Sequence, residues 1–223
     1  MLAPRFREIH LVDLDAVALE RAVQRQPRAV RDKLILHAPI DLSGALGRLA
    51  AFRGRSPSDE EVARLPSESV ESVVRALAGR FDVVLSACVL SQLMHGHAVA
   101  LGQGNPQLPL LSCVLGLAHV RSLMRLLEPG GTAILITDMA SSDTCPLPER
   151  ADLAMLRALA EVLERERLCA SGTGPAFLLR MAADDAQITP QLAARPEQVG
   201  PWLWHFSARL KYLVHALVLQ RRS

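Results

Sequence analysis

The sequence predicts an α/β protein: a mostly parallel sheet with helices on both faces, closed by an antiparallel hairpin at its carboxyl end. Three observations predict it. Short apolar runs alternate with helical patterns along most of the chain, which implies parallel strands joined by helices. The run Phe81-Asp-Val-Val-Leu-Ser-Ala-Cys88 is apolar without alternation, so it reads as a strand buried on both faces. The chain ends in two strand-like runs, Trp202–Phe206 and Tyr212–Gln220, joined by a short turn, which reads as a hairpin.

The elements follow in order. Residues 9 to 13 form a short apolar run that ends in an acid, and Asp15 is placed to cap the helix after it. That helix runs from Ala16 to Gln26, with Val17, Leu19, Ala22 and Val23 among charged residues, and Pro27 ends it. Lys33 to Ile40 is the next strand, and a helix from Ser43 to Phe52 follows Asp41. The polar stretch from Gly54 to Glu61 reads as a surface loop into a short helix capped by Ser58 or Asp59. A separate helix over Ser67–Ala78 carries Val70, Val73, Val74 and Leu77 at helical spacing, and Gly79 closes it.

After the central strand, Met94 to Pro106 reads as a glycine-rich connection. A long helix from Leu108 to Leu127 stops at Pro129-Gly130-Gly131. Thr132 to Thr137 is a strand with Asp138 at its carboxyl end. A loop over 139–148 leads to a helix over Pro148–Leu168 and a shorter one over Pro175–Ala183. There is no internal repeat and no low-complexity linker, so residues 1–223 read as one domain.

Composition bounds the function. The 223 residues are half hydrophobic and carry a net charge of +2. Such a chain buries one large core and lacks the basic footprint of a nucleic-acid binder. Cys88, Cys113, Cys145 and Cys169 are widely spaced with no CxxC pair, as expected for reduced thiols in a cytoplasmic protein. The first residues lack the apolar core of a signal peptide. Val83 to Val120 contains no charged residue, but glycines and prolines break it, so no membrane span is expected.

In open α/β sheets, ligands sit at the carboxyl ends of the strands, and the candidate residues gather there. Asp13 closes the first strand, where an acid can accept hydrogen bonds from ribose hydroxyls. Asp41 follows the next strand, with helix capping by Asp41 or Ser43 as the competing role. Cys88 has no neighbouring base in sequence and reads as a buried, inert thiol. Gln92, His95, His97 and Asp138 are candidates on the substrate side. His95 or His97 suits a general base, because histidine titrates near neutral pH. The His-x-His pair lacks a third ligand at recognisable spacing, so no metal is expected. Trp202, Trp204 and Phe206 alternate on one face. They suit a substrate wall, but aromatics on a closing hairpin are more often core, and core is the expectation.

Four stretches together resemble class I S-adenosylmethionine-dependent methyltransferases. Phe81-Asp-Val-Val and its small-residue turn are similar to the family's fourth strand, and Ile9-His-Leu-Val-Asp-Leu-Asp15 to its second. Leu126 to Asp138 is similar to the glycine turn and fifth strand, and Trp202 to Arg221 to the terminal antiparallel pair. The resemblance implies a Rossmann-like, methyltransferase-like fold and S-adenosylmethionine as cofactor. Asp13, with Leu14 beside it, would hold the ribose. Asp41 would take the adenine amine while Leu42 packs on the ring. Ser86, Ala87 and Cys88 would lie beneath the methionine part. The chemistry would be displacement at the sulfonium methyl, achieved mainly by positioning, toward a small-molecule acceptor.

The resemblance departs at the amino end. No first strand, first helix or glycine-rich loop precedes Ile9. The expectation is a chain that starts downstream of its natural start or has lost that loop, incomplete as a domain and weak or inactive in binding the cofactor. In the family the first strand separates the second from the fourth. Its absence predicts direct pairing of Ile9–Val12 with Val83–Leu85, or a gap filled by the partner chain of a homo-oligomer. Two further readings stand beside the enzyme. One is a non-catalytic scaffold or interaction protein that keeps the fold. The other is a nicotinamide-binding enzyme, since the acid of Asp13 suits NAD as well; the terminal hairpin favours the methyltransferase.

Overall fold

The computed structural model describes residues 5–169 and 172–223. Residues 1–4, part of the stretch read for a signal peptide, lie outside the described residues. Strands β1 (Ile9–Val12) and β2 (Leu34–His37) form a parallel pair. Strands β3 (Phe81–Ala87), β4 (Leu127–Ser141), β5 (Glu197–His205) and β6 (Lys211–Gln220) form a second sheet in the order β3-β4-β6-β5. Within it, β3 and β4 run parallel, and β6 is antiparallel to both β4 and β5. The hairpin forms as expected, and β6 lies inside with β5 at the edge. The fold is α/β and Rossmann-like, with parallel pairs joined through helices.

Helices α1 (Ala16–Gln24) and α2 (Arg28–Arg31) connect β1 to β2, and α3 (Leu46–Ala51) and α4 (Asp59–Leu77) lead to β3. Helices α5 (Val89–Leu101) and α6 (Leu108–Arg125) lead to β4, and α7 (Leu153–Arg165) and α8 (Pro175–Asp184) to β5. Two expected breaks are absent. Helix α4 runs unbroken through Pro66, its start fixed by a capping box between Ser58 and Glu61. Tertiary packing of Leu65, Val70, Val73 and Leu77 outweighs the hydrogen bond that proline removes. Helix α5 runs through Gly96 where a glycine-rich connection was expected, because Leu90, His97 and Leu101 bury one face.

The main core lies on one face of the second sheet. Ala133 and Leu135 of β4 and Leu217 and Leu219 of β6 pack with Leu90, Val120, Leu123 and Leu178 of the helices. Among the described helices, α6 is the one long and apolar enough to cross a membrane, and it is largely buried here. The opposite face is barer: Val83 is 39% and Leu85 54% exposed on β3. That strand is therefore not buried on both faces, as its unbroken apolar run suggests.

Direct pairing of β1 with β3 does not occur. No backbone hydrogen bonds join the two sheets. Instead, the rings of His10 and Phe81 meet edge to face at 4.9 Å, and Val12 shares a cluster with Phe81, Val84, Val73 and Leu126. The pairing expectation assumed that unpaired backbone would be buried and costly. Val83, Leu85 and Ala87 of β3 are exposed, so the strand is not sealed from water as that expectation assumed.

One ion pair ties the core together. Arg121 of α6 donates two hydrogen bonds to Asp185, at 2.6 and 3.2 Å, and both side chains are largely buried. Burial opposes the Asp185 charge, but Arg121 and the backbone N–H groups of Gln187 and Ile188 hold its carboxyl below the usual range. Arg121→Met should lower the unfolding free energy by about 3–5 kcal/mol, because it strands a buried carboxylate. Urea denaturation measures this, and a loss below about 1 kcal/mol would contradict it.

Candidate functional site at the strand ends

Asp13 is fixed by the parallel pair that precedes it. Its backbone N–H donates to His37 and its carbonyl accepts from Ile40. Its Oδ1 accepts from the Asp15 N–H at 2.9 Å, while Asp15 caps α1 through Ala18. Asp15 is thus the helix cap that the sequence suggests. Asp13 is exposed, and Leu14 beside it is 55% exposed. An acid thus stands next to an apolar surface at the end of β1.

Asp41 serves the competing role. Its Oδ1 accepts from the N–H and hydroxyl of Ser43, and its Oδ2 accepts from the N–H groups of Ala45 and Leu46. Four bonds from its own turn leave the carboxylate committed to the start of α3. Gly44 lets this turn close: its φ is +62°, and an added Cβ would lie 2.5 Å from the Ser69 carbonyl oxygen. Leu42 packs beside Val12, Ile40 and Phe81.

At the end of β3, Ser86 is buried and its hydroxyl shares a 2.9 Å hydrogen bond with Nε2 of His119. Burial lowers the His119 pKa to about 4. The Leu42 backbone near its other ring nitrogen acts in the opposite direction, although no hydrogen bond of ordinary geometry forms there. His119 thus anchors the end of β3 to α6. Sequence reading missed it. The available signal was its position four residues beyond Leu115 on the buried stripe of α6, where a histidine needs a partner.

Ala87 is exposed, and Cys88 adopts a left-handed conformation with φ of 53° at the junction with α5. Such strain in a non-glycine residue marks functional turns. Burial, with Asp138 nearby, pushes the Cys88 thiol up to about 11, so it is not a nucleophile at neutral pH. Asp138 of β4 accepts a 2.7 Å hydrogen bond from Ser91, which links β4 to the first turn of α5.

The other substrate-side candidates separate. Gln92 and His95 lie on the exposed side of α5. His97 is fully buried, and neither ring nitrogen has a hydrogen-bond partner. Burial lowers its pKa to about 4, against the pull of Asp41. It is a core residue rather than a loop histidine.

The hairpin aromatics depart from the core expectation. Trp202 is partly buried, but Trp204 is 39% and Phe206 61% exposed. With Tyr212 they form a cluster whose ring centroids lie 5.7 to 6.1 Å apart. An open cleft of about 470 Å³ lined by Arg55, Ser56, Gly102 and Asn105 includes none of these strand-end residues.

No family model and no curated protein matches the sequence. Solved structures do. The chain is similar to the N-methyltransferase NodS from Bradyrhizobium japonicum WM9, at 13% identity and a TM-score of 0.42, covering 100% of this chain and 78% of that one. It is also similar to CrArsM, an arsenic(III) S-adenosylmethionine methyltransferase from Chlamydomonas reinhardtii. There the identity is 13% and the TM-score 0.42, over 97% of this chain and 55% of that one.

Proposed function

We propose that this chain carries the cofactor half of an S-adenosylmethionine-dependent methyltransferase acting on a small-molecule acceptor. The observation that carries the reading is convergence at one level. Asp13 and exposed Leu14 close β1. The small residues Ala87 and Cys88 close β3, and no backbone pairing fills the space between these strands. Asp13 and Leu14 would hold the ribose and the adjoining adenine edge. Ala87 and the left-handed turn at Cys88 would let the methionine part approach the backbone. The bound cofactor supplies an electrophilic methyl group on a sulfonium. The chain's own residues supply position, and Asp138 borders the acceptor side.

Asp41 and Ser86 fit less well, because both side chains are already engaged. That favours a second reading, a non-catalytic scaffold with the same fold, and predicts weak cofactor binding by these 223 residues. Calorimetric titration with S-adenosylmethionine and its demethylated product separates the readings. Where binding is measured, Asp13→Ala should weaken it by about tenfold or more, since a hydrogen bond to a charged group contributes about 1.5–3 kcal/mol. Unchanged affinity in a folded variant would remove Asp13 from the site. No binding by the folded chain would leave the scaffold.

A further inference from the structure

The hairpin aromatics lie on the same face of the sheet as Asp138. In an antiparallel pair, residues directly opposite share a face, and neighbours alternate. Asp138 lies opposite Val214, two residues from Tyr212, and Trp204 lies opposite Tyr212. Phe206 completes the cluster by meeting Trp204 and Tyr212 edge to face. Asp138 and Asp143 both bear electrostatically on the Tyr212 hydroxyl, with Cys88 also near.

The basic residues within β5 and β6 lie elsewhere, and Arg209 sits in the turn between them. His205 pairs with Lys211 across the strands, so by alternation both face away from Trp204 and Tyr212. The Lys211 ammonium is bound to Glu149 and the carbonyls of Leu147 and Pro148. One face thus carries solvent-exposed π surfaces with the Asp138 carboxylate, while His205 and Lys211 of the strands lie on the other.

We propose that Trp204, Phe206, Tyr212 and Asp138 form a recognition site for an organic ammonium group. Charge complementarity selects this occupant. Aromatic faces attract cations, a nearby carboxylate adds to the attraction, and the same acids repel an anionic ligand. An aromatic cluster left exposed to solvent is also the usual mark of a binding surface. That the ammonium compound is the methyl acceptor rests on the function proposed above; the binding itself does not.

Choline and its uncharged isostere 3,3-dimethylbutan-1-ol provide the test, each titrated into the full chain and followed by tryptophan fluorescence. Saturable choline binding is expected, with the isostere weaker by about two- to fivefold, as a cation–π contact of about 0.5–1 kcal/mol at exposed rings implies. Trp204→Leu and Asp138→Asn should each weaken choline by about twofold or more, while urea denaturation confirms that they fold. Equal binding of choline and the isostere, no saturation by choline, or unchanged affinity in both folded variants would overturn the site. Choline binding without any binding of S-adenosylmethionine would uphold the site and sink only the methyltransferase reading.

Discussion

Removal of residues 202–223 is expected to abolish cooperative folding. The segment contains β6, which sits between β4 and β5 rather than at an edge. Its register with β4 runs from Thr132 opposite Gln220 to Ser141 opposite Tyr212, so its loss strips β4 of one entire side. Leu213, Val214, Leu217 and Leu219 are all at most 1% exposed. Leu217 and Leu219 belong to the main core, and Leu213 packs with Leu156, Ala160 and Leu163 of α7. Each such side chain contributes about 1.5–3 kcal/mol on burial, and a whole domain has only about 5–15 kcal/mol of net stability. Four of them are comparable to that total before any backbone hydrogen bond is counted. Far-ultraviolet circular dichroism and a urea titration of residues 1–201 test this. A soluble truncation with a cooperative transition would contradict it.

The hairpin was legible in the sequence because its signal is local. Tyr212–Gln220 is apolar but for His215 and the terminal Gln220, as suits a strand with neighbours on both sides, and the run before it is shorter. Of the strand ends only that at Asp13 was legible, because this acid directly follows β1; β2 ends earlier than Ile40, at His37, and β4 runs from Leu127 through Asp138 to Ser141 rather than over Thr132–Thr137. What was lost depends on neighbours distant in sequence. The run from Phe81 to Leu85 looks buried on both faces, yet Val83 and Leu85 are exposed. No pattern within a strand reports whether its second face is covered.

Likewise Pro66 and Gly96 are helix breakers by propensity, but propensity is weak against a buried face. The links made by His119 to Ser86 and by Arg121 to Asp185 span 33 and 64 residues, and no sequence spacing announces them. In the candidate site, the role of Asp41 turned on four hydrogen bonds from its own turn, a local capping pattern the sequence already offered as the alternative.

The second large expected effect is acid destabilisation driven by buried histidines. His97 and His119 are held near a pKa of about 4, against an ordinary value of 6.5, by burial in both cases. His215 is lowered for the same reason, with the Thr173 carbonyl acting in the opposite direction. The folded state therefore keeps these rings neutral at a pH where the unfolded chain binds protons. Stability is complete above about pH 6.5, falls as pH drops toward 4, and loses nothing further from these groups below that.

For a pKa held near 4, the loss is about 2 kcal/mol per histidine by pH 5 and about 3 kcal/mol when complete. Glu149 and Asp185, whose carboxyls are lowered by Lys211 and Arg121, add their loss only nearer pH 4 and below. Between pH 6.5 and 5 the histidines therefore dominate. The urea midpoint should fall steeply over this interval. His97→Leu removes no hydrogen bond, since neither ring nitrogen makes one. It should make the folded protein less sensitive to pH by about the share of one histidine, while His119→Gln tests the group bonded to Ser86. Equal midpoints at pH 7 and pH 5 would contradict the account, as would an unchanged slope in a folded His97→Leu variant.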